Sequence, residues 1–175
     1  MELILFLIFL PFFILIGTFL VFYLPLFLGA PFVPTSENKI KKILELAEPR
    51  PGEILYDLGS GNGEILIKAV KNYGVKAIGI EINPILVWQS RRKVKKTGLE
   101  KQIKIYWGNF FRKNFSDADI VIMYLLQPTN NRIEKKLLKE LKPGTKIVSE
   151  SFTFKKVPFV KCHPEDKFIK LYKIE

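Results

Sequence analysis

Residues 57–63 read Asp57-Leu58-Gly59-Ser60-Gly61-Asn62-Gly63. The strand-like run Ile54-Leu55-Tyr56 comes directly before them, and the helix-like run Glu64-Ile65-Leu66-Ile67-Lys68-Ala69-Val70 directly after. A glycine turn between a strand and a helix lets backbone approach a nucleotide closely, because no Cβ stands in the way. The dinucleotide fingerprint G-x-G-x-x-G starting at Gly59 would need glycine at position 64, which is Glu64. The pattern is instead D-x-G-x-G-x-G, with an acid two residues before the first glycine. A plain tight turn, with Asp57 bonding the loop backbone, is the simpler alternative.

Outward from this turn, strand and helix patterns alternate. Ser36 is placed to N-cap a helix with apolar positions Ile40, Ile43, Leu44 and Ala47. The turn Pro49-Arg50-Pro51-Gly52 leads into strand one, Glu53–Leu58, and a helix from about Gly63 to Tyr73 stops at Gly74. Strand two is Lys76–Ile82. Asn83 then caps a helix with Pro84 in its first turn, running to Thr97 before Gly98. Strand three is Ile103–Trp107. Strand four, Ala118–Leu125, is apolar after Asp119, as a central parallel strand should be. A helix over about Asn130–Leu141 ends at Lys142-Pro143-Gly144, and strand five is Thr145–Ser151. Two further strands, near Phe154–Lys161 and Phe168–Ile174, are joined through His163-Pro164-Glu165-Asp166, short enough for an antiparallel hairpin. The expected fold is α/β: a Rossmann-like, doubly wound, mostly parallel seven-stranded sheet with an antiparallel C-terminal hairpin.

Residues 1–34 differ in kind. Leu3 through Ser36 holds no Asp, Glu, Lys or Arg, which is longer than the roughly 20 apolar residues a membrane crossing needs. The expectation is one transmembrane helix from Leu3 to about Leu24, with Pro25 to Pro34 near the interface and Pro11 kinking the helix or marking its first turn. A cleaved signal peptide is the rival. Its leader should be basic, yet only Glu2 is charged there, and the apolar run exceeds the usual length; Leu28-Gly29-Ala30 is a weak cleavage-like site. The domain proper is then 35–175. All 28 Lys and Arg follow residue 38, so the positive-inside rule places that domain in the cytoplasm of a single-pass membrane protein. A lone cysteine, Cys162, agrees with a reducing compartment.

The net charge is +11, with clusters at Arg91-Arg92-Lys93-Val94-Lys95-Lys96 and along Lys135, Lys136, Lys139 and Lys142. An anionic leaflet, a nucleic acid or plain solvated helix faces would each account for them. No aromatic-interleaved RNA-binding motif stands out. Cys162 and His163 are adjacent in the tail, but one Cys and one His make neither a metal site nor a nucleophile pair, so no metal is expected.

Ligands of doubly wound sheets sit at the carboxyl ends of the strands near the switch point. That rule selects the glycine turn, Glu81-Ile82, Gly108-Asn109-Phe110 and Tyr124-Leu125-Leu126. Glu81 lies 18 positions beyond Gly63, near the offset at which an acid meets ribose hydroxyls. A salt bridge to a neighbouring lysine is its alternative role. Asn109 offers a donor and an acceptor to an adenine edge, or else forms an Asx turn. Phe110 or Phe111 is placed to cover the ring, or is plain core.

The glycine turn resembles motif I of class I methyltransferases dependent on S-adenosylmethionine (SAM). SAM carries a sulfonium cation and no phosphate, so a carboxylate suits its site better than bare helix N–H groups do. Over about residues 31–152 the chain resembles the archaeal protein-lysine methyltransferases, akin to the FAM173-like lysine methyltransferases of mitochondria. The resemblance rests on Pro31-Phe32-Val33-Pro34-Thr35, the stretch from Tyr56 to Gly63, Gly79-Ile80-Glu81-Ile82-Asn83-Pro84, Tyr124-Leu125-Leu126, and Leu141-Lys142-Pro143-Gly144-Thr145 leading into Val148-Ser149. Mitochondrial members also carry an N-terminal hydrophobic segment.

The resemblance implies SAM held by Asp57, Gly59, Ser60, Gly61, Gly63, Glu81, Ile82, Asn109 and Phe110. It implies an acceptor channel lined by Phe32, Thr35 and Leu125 and a protein lysine as acceptor. Tyr124, at the end of strand four, is placed to orient that acceptor through its hydroxyl, or else is a core tyrosine. Asn62 and Asn109 stand where relatives commonly show Asp, which removes negative charge but keeps hydrogen-bonding capacity. The Asn-Pro-Pro-Tyr signature of base and glutamine methylators is replaced by Leu126-Gln127-Pro128-Thr129. RNA or lipid as acceptor, and an inactive membrane-tethered scaffold, remain the alternatives.

Overall fold

A computed structural model describes residues 2–28 and 32–175. Helix α1 (Glu2–Leu28) precedes α2 (Glu37–Ala47), β1 (Ile54–Leu58), α3 (Glu64–Tyr73), β2 (Lys76–Glu81), α4 (Pro84–Lys96) and β3 (Ile103–Trp107). A 3-10 turn at Phe110–Arg112 leads to β4 (Ile120–Met123), α5 (Gln127–Glu140), β5 (Lys146–Glu150), β6 (Phe159–His163) and β7 (Asp166–Lys173). The seven strands form one sheet in the order β3-β2-β1-β4-β5-β7-β6. The first five are mutually parallel; β7 is antiparallel to β5 and to β6. The doubly wound sheet and its hairpin follow the sequence reading.

The order reverses at β1, whose neighbours are β2 on one side and β4 on the other. In such sheets the crevice opens beyond the strand tips at this point. Alternation along the central strands feeds two cores. Leu55, Ile120 and Ile122 face one with α2 and α3; Tyr56, Leu58, Val121 and Met123 face the other with α5. Both faces are covered, which explains the unbroken apolar run of β4. At Gly79 in β2 a Cβ would come within 2.6 Å of Leu66 Cδ1 and of Ser60 Oγ. The missing side chain lets α3 and the glycine loop press onto the sheet.

Several boundaries differ from expectation. Strand six begins at Phe159, not Phe154. Buried Glu134 on α5 accepts from the backbone N–H groups of Lys155, Lys156 and Val157 at 2.6, 2.5 and 3.3 Å, taking donors a ladder would use. Helix α5 starts at Gln127, because Pro128 falls in the first turn, where its missing N–H costs nothing. β4 stops at Met123, and Tyr124-Leu125-Leu126 leaves the sheet toward the strand-tip crevice. Ser36 caps α2 as expected, its hydroxyl accepting from Lys39 N–H at 3.3 Å.

α1 continues through Pro11 and Pro25 to Leu28, past the expected end near Leu24. Each proline removes one backbone donor, a local loss that apolar helices tolerate. Among the described residues no helix is long and apolar enough to cross a membrane. Gly29 and Ala30 of the cleavage-like site, and Pro31, lie outside the described residues.

Candidate active site

The glycine loop is folded by its neighbours. Gly59 and Ser60 N–H both donate to Ile80 O, at 2.9 and 3.2 Å. Gly61 N–H donates to Glu81 Oε2 at 2.9 Å, and Asn83 N–H donates to Glu81 Oε1 at 2.8 Å. One buried carboxylate thus ties the loop after β1 to the cap of α4. Among the described residues Glu81 makes no lysine bridge. Each of its oxygens has one backbone donor and keeps acceptor capacity toward the crevice. Gly61 has φ +52°, and a Cβ there would meet Phe32 Cε2 at 2.6 Å, so the Phe32 ring lies directly over the loop.

A cavity of about 230 Å³ opens at these strand tips. Its lining includes Phe32, Thr35, Asp57, Gly59, Ser60, Gly61, Glu81, Ile82, Asn109, Phe110, Tyr124 and Leu125. Every expected site residue but one is therefore brought together. The exception is Gly63. It caps α3 in a left-handed conformation, and a Cβ there would sit 3.1 Å from Ser90 Cβ, so it packs the loop closely against α4.

Asp57 is 3 % exposed and makes no hydrogen bond within the described residues; the loop N–H that it was a candidate to hold goes to Glu81. Burial, and then the nearby Glu81 carboxylate, push Asp57 up from 3.8 to about 7. Ser60 Oγ is buried without a partner among the described residues. Asn109 Oδ1 accepts from Phe111 N–H at 2.9 Å, so the Asx turn is formed and only the amide Nδ2 is free to donate. Phe110 is buried, its ring tilted against Phe111 with centroids 4.8 Å apart.

Ser151 and Phe152 also line the cavity, and the sequence reading missed both. The strand-tip rule would have found them, since β5 lies beside β4. Ser151 is left-handed at φ +64°, held by its hydroxyl on Glu150 Oε2 at 2.6 Å. Lys39 Nζ donates to the other oxygen of buried Glu150 at 2.6 Å and stands 5.6 Å from the Tyr124 ring centroid. Fully buried Asn130 donates to Ser149 Oγ at 3.1 Å, which donates to Phe152 O at 2.9 Å.

The described lining holds three acids, Asp57, Glu64 and Glu81, and no Lys, Arg or His, in a chain of net charge +11. Glu64 is paired with Lys93 at 2.6 Å; the other two face the cavity without a cation among the described residues. Such a site suits a cationic, hydroxyl-bearing ligand and opposes a polyphosphate. An unpartnered hydroxyl, an unpartnered carboxylate and a glycine loop under an aromatic ring fit SAM. Among the described residues no group of His, Cys, Asp and Glu is arranged to hold a metal.

The crystal structure of an RNA methyltransferase from Salinibacter ruber, in complex with S-adenosyl-L-homocysteine, superposes with a TM-score of 0.72. It is 34% identical and covers 81% of this chain and 92% of its own. Fold and cavity together define a SAM-dependent methyltransferase. The family model for the ANTKMT methyltransferase domain matches residues 57–161, and the chain belongs to that family. A protein-lysine N-methyltransferase of Saccharolobus islandicus is 42% identical over 70% of this chain and 76% of its own length. A lysine N-methyltransferase of Xenopus laevis, named for a component of ATP synthase, is 33% identical over 71% of this chain, which spans about half (54%) of that relative.

Proposed function

We propose that this chain methylates lysine side chains of proteins at a membrane, to which α1 tethers it, with the catalytic part on the cytoplasmic side. The observation that carries the reading is the acid-lined, base-free cavity at the β1–β4 switch point. Support for lysine comes from the names of the Saccharolobus and Xenopus relatives. Support for the tether is the uncharged stretch from Leu3 through Ser36, followed by Lys39, Lys41 and Lys42.

SAM, when bound, supplies a methyl group on a sulfonium that is already a good leaving group, so positioning supplies most of the catalysis. Asp57 would face the positive end of the cofactor. Glu81, its oxygens set by Gly61 and Asn83, would accept from the ribose hydroxyls. Asn109 Nδ2 would donate to the adenine edge, and Phe110 would cover a ring face. Tyr124, with Phe32, Thr35 and Leu125, lines the acceptor entrance, and its hydroxyl orients the incoming amine. The amine must arrive neutral, against an ordinary pKa near 10.4. Water exclusion by the apolar entrance and the nearby cofactor cation both favour that form.

RNA is the second reading, favoured by the name of the Salinibacter neighbour. The deciding experiment incubates the full chain, in detergent, with labelled SAM and membrane or cytosolic extract. Label lost on protease treatment and located on lysine by mass spectrometry is expected. Label that survives protease and is lost on nuclease treatment would overturn the lysine reading.

A further inference from the structure

The strand-tip end of the molecule carries an unusual set of exposed side chains beside the cavity. Trp88 on α4 is 60 % exposed and Trp107, the last residue of β3, is 64 % exposed; together they wall a shallow surface groove. The other polar lining of that groove is Arg91, Arg92 and Lys95, with no acid among them. Neither tryptophan is a loose end. Trp107 Nε1 donates to Ile82 O at 2.9 Å, and the Arg92 guanidinium stands 5.5 Å from the Trp88 ring centroid. Arg91 is tied down by two hydrogen bonds to Ile105 O, which leaves Arg92 and Lys95 as the cations at the rim.

The patch adjoins the cavity directly. On the first turn of α4, Leu86 lines the cavity while Ile85 and Trp88 point to solvent. Residues 108–110 carry the chain from Trp107 to the cavity wall. Phe32 and Val33, half-exposed, also line the cavity and follow α1 in sequence. Only residues 29–31 separate them from the end of that helix. Exposed apolar and aromatic side chains therefore border the cavity at Ile85, Trp88 and Trp107 and again at Phe32 and Val33, the residues nearest α1 in sequence.

We infer that the Trp88–Trp107 groove with Arg92 and Lys95 is a docking surface for an anionic phospholipid bilayer. It turns the cavity mouth toward the membrane plane. Indole rings beside basic side chains match the headgroup region, where an apolar body meets a polar, negatively charged layer. The orientation selects acceptors that lie at the lipid surface over freely diffusing ones. This inference rests on the tethered reading proposed above, and the test separates the two.

The chain contains two tryptophans, and both are in the patch. Tryptophan emission, excited where the six tyrosines do not absorb, therefore reports the patch alone. The full chain is reconstituted with vesicles containing phosphatidylglycerol and bromine-labelled acyl chains. Strong quenching with a blue shift is expected, and weaker quenching in phosphatidylcholine alone. Arg92→Gln with Lys95→Gln should weaken partition of the patch roughly thirty-fold, at about one kcal/mol per cation, and bring quenching down to the phosphatidylcholine level. Resistance of the same samples to alkaline carbonate extraction reports α1 anchoring separately, because a spanning helix stays in the bilayer while a peripheral contact is stripped. Where the chain is extracted, vesicles added from outside before extraction still quench the patch if it binds lipid. Solvent-like, unquenched emission in anionic vesicles overturns the inference. So does quenching by a single-stranded RNA oligonucleotide at physiological salt with none by brominated lipid.

Discussion

The backbone N–H of Gly61 donates to Glu81 Oε2 at 2.9 Å, so the acid at the tip of β2 also sets the shape of the glycine loop after β1. Its other oxygen holds Asn83 N–H at 2.8 Å. Removing the carboxylate leaves two backbone donors without their acceptor as well as deleting a ligand for ribose. Hydrogen bonds to charged groups contribute about 1.5–3 kcal/mol each. Glu81→Ala should therefore weaken SAM binding at least tenfold by calorimetry and lower the melting temperature of the cofactor-free protein. Glu81→Gln, which keeps one acceptor oxygen, should recover part of both losses. An alanine variant with unchanged affinity would remove Glu81 from the binding site.

Gly61→Ala separates backbone strain from crowding. The left-handed φ of +52° costs a non-glycine residue about 1–2 kcal/mol. The new Cβ would also meet Phe32 Cε2 at 2.6 Å. Phe32 is partly exposed and is free to swing outward, so crowding should show chiefly as lost cofactor affinity. In a Phe32→Ala background the strain should persist in urea unfolding while the affinity loss shrinks. Equal affinity losses in both backgrounds would mean that the ring does not cover the loop.

The parts of this site that were legible in the chain are those fixed by local chemistry. Asp57 and Glu81 end adjacent parallel strands, and the Gly59–Gly63 run lies between them, so their offset alone sets them side by side. Spacing alone does not say which glycine lines the cavity, and Gly63 packs against Ser90 instead. Asn109 is half legible. An Asn after a strand suits both a ligand contact and an Asx turn, and the Phe111 N–H decides between them for its oxygen. Glu134 is illegible. On a Lys-rich helix it looks solvated, and only tertiary contact brings the backbone of Lys155 to Val157 onto it. That contact is also why β6 starts late.

Tyr124→Phe keeps the ring that lies beside Lys39 and removes only the hydroxyl. Glu150 bonding holds the Lys39 ammonium above its ordinary pKa, so Lys39 stays protonated and is no substitute for the acceptor. If the hydroxyl orients the incoming amine, kcat should fall roughly two- to twelve-fold, the worth of one hydrogen bond. SAM affinity and thermal stability should not change. Steady-state kinetics with calorimetry on the same preparation provide the check, and an unaltered kcat would leave Tyr124 a wall residue.

Asp57 should make both stability and cofactor binding depend on pH, with opposite signs. In the unfolded chain it titrates at its ordinary 3.8; in the fold, burial and Glu81 raise it to about 7. Between these values the folded chain holds a proton that the unfolded chain has released. The stability this group contributes is full below 3.8, declines as pH rises through the window and is gone above about 7. Asp57→Asn has no such window, so its unfolding free energy should gain on the wild type between those pH values and run parallel outside them. A cation in the cavity favours the ionised carboxylate instead. SAM binding near pH 6 should then expel close to one proton per site, and binding well above pH 7 almost none. Calorimetry in two buffers of different ionisation heat counts that proton directly. Asp57→Asn should release none at either pH and bind SAM more weakly at both; a wild-type count of zero at pH 6 would mean that Asp57 does not face the cofactor's charge.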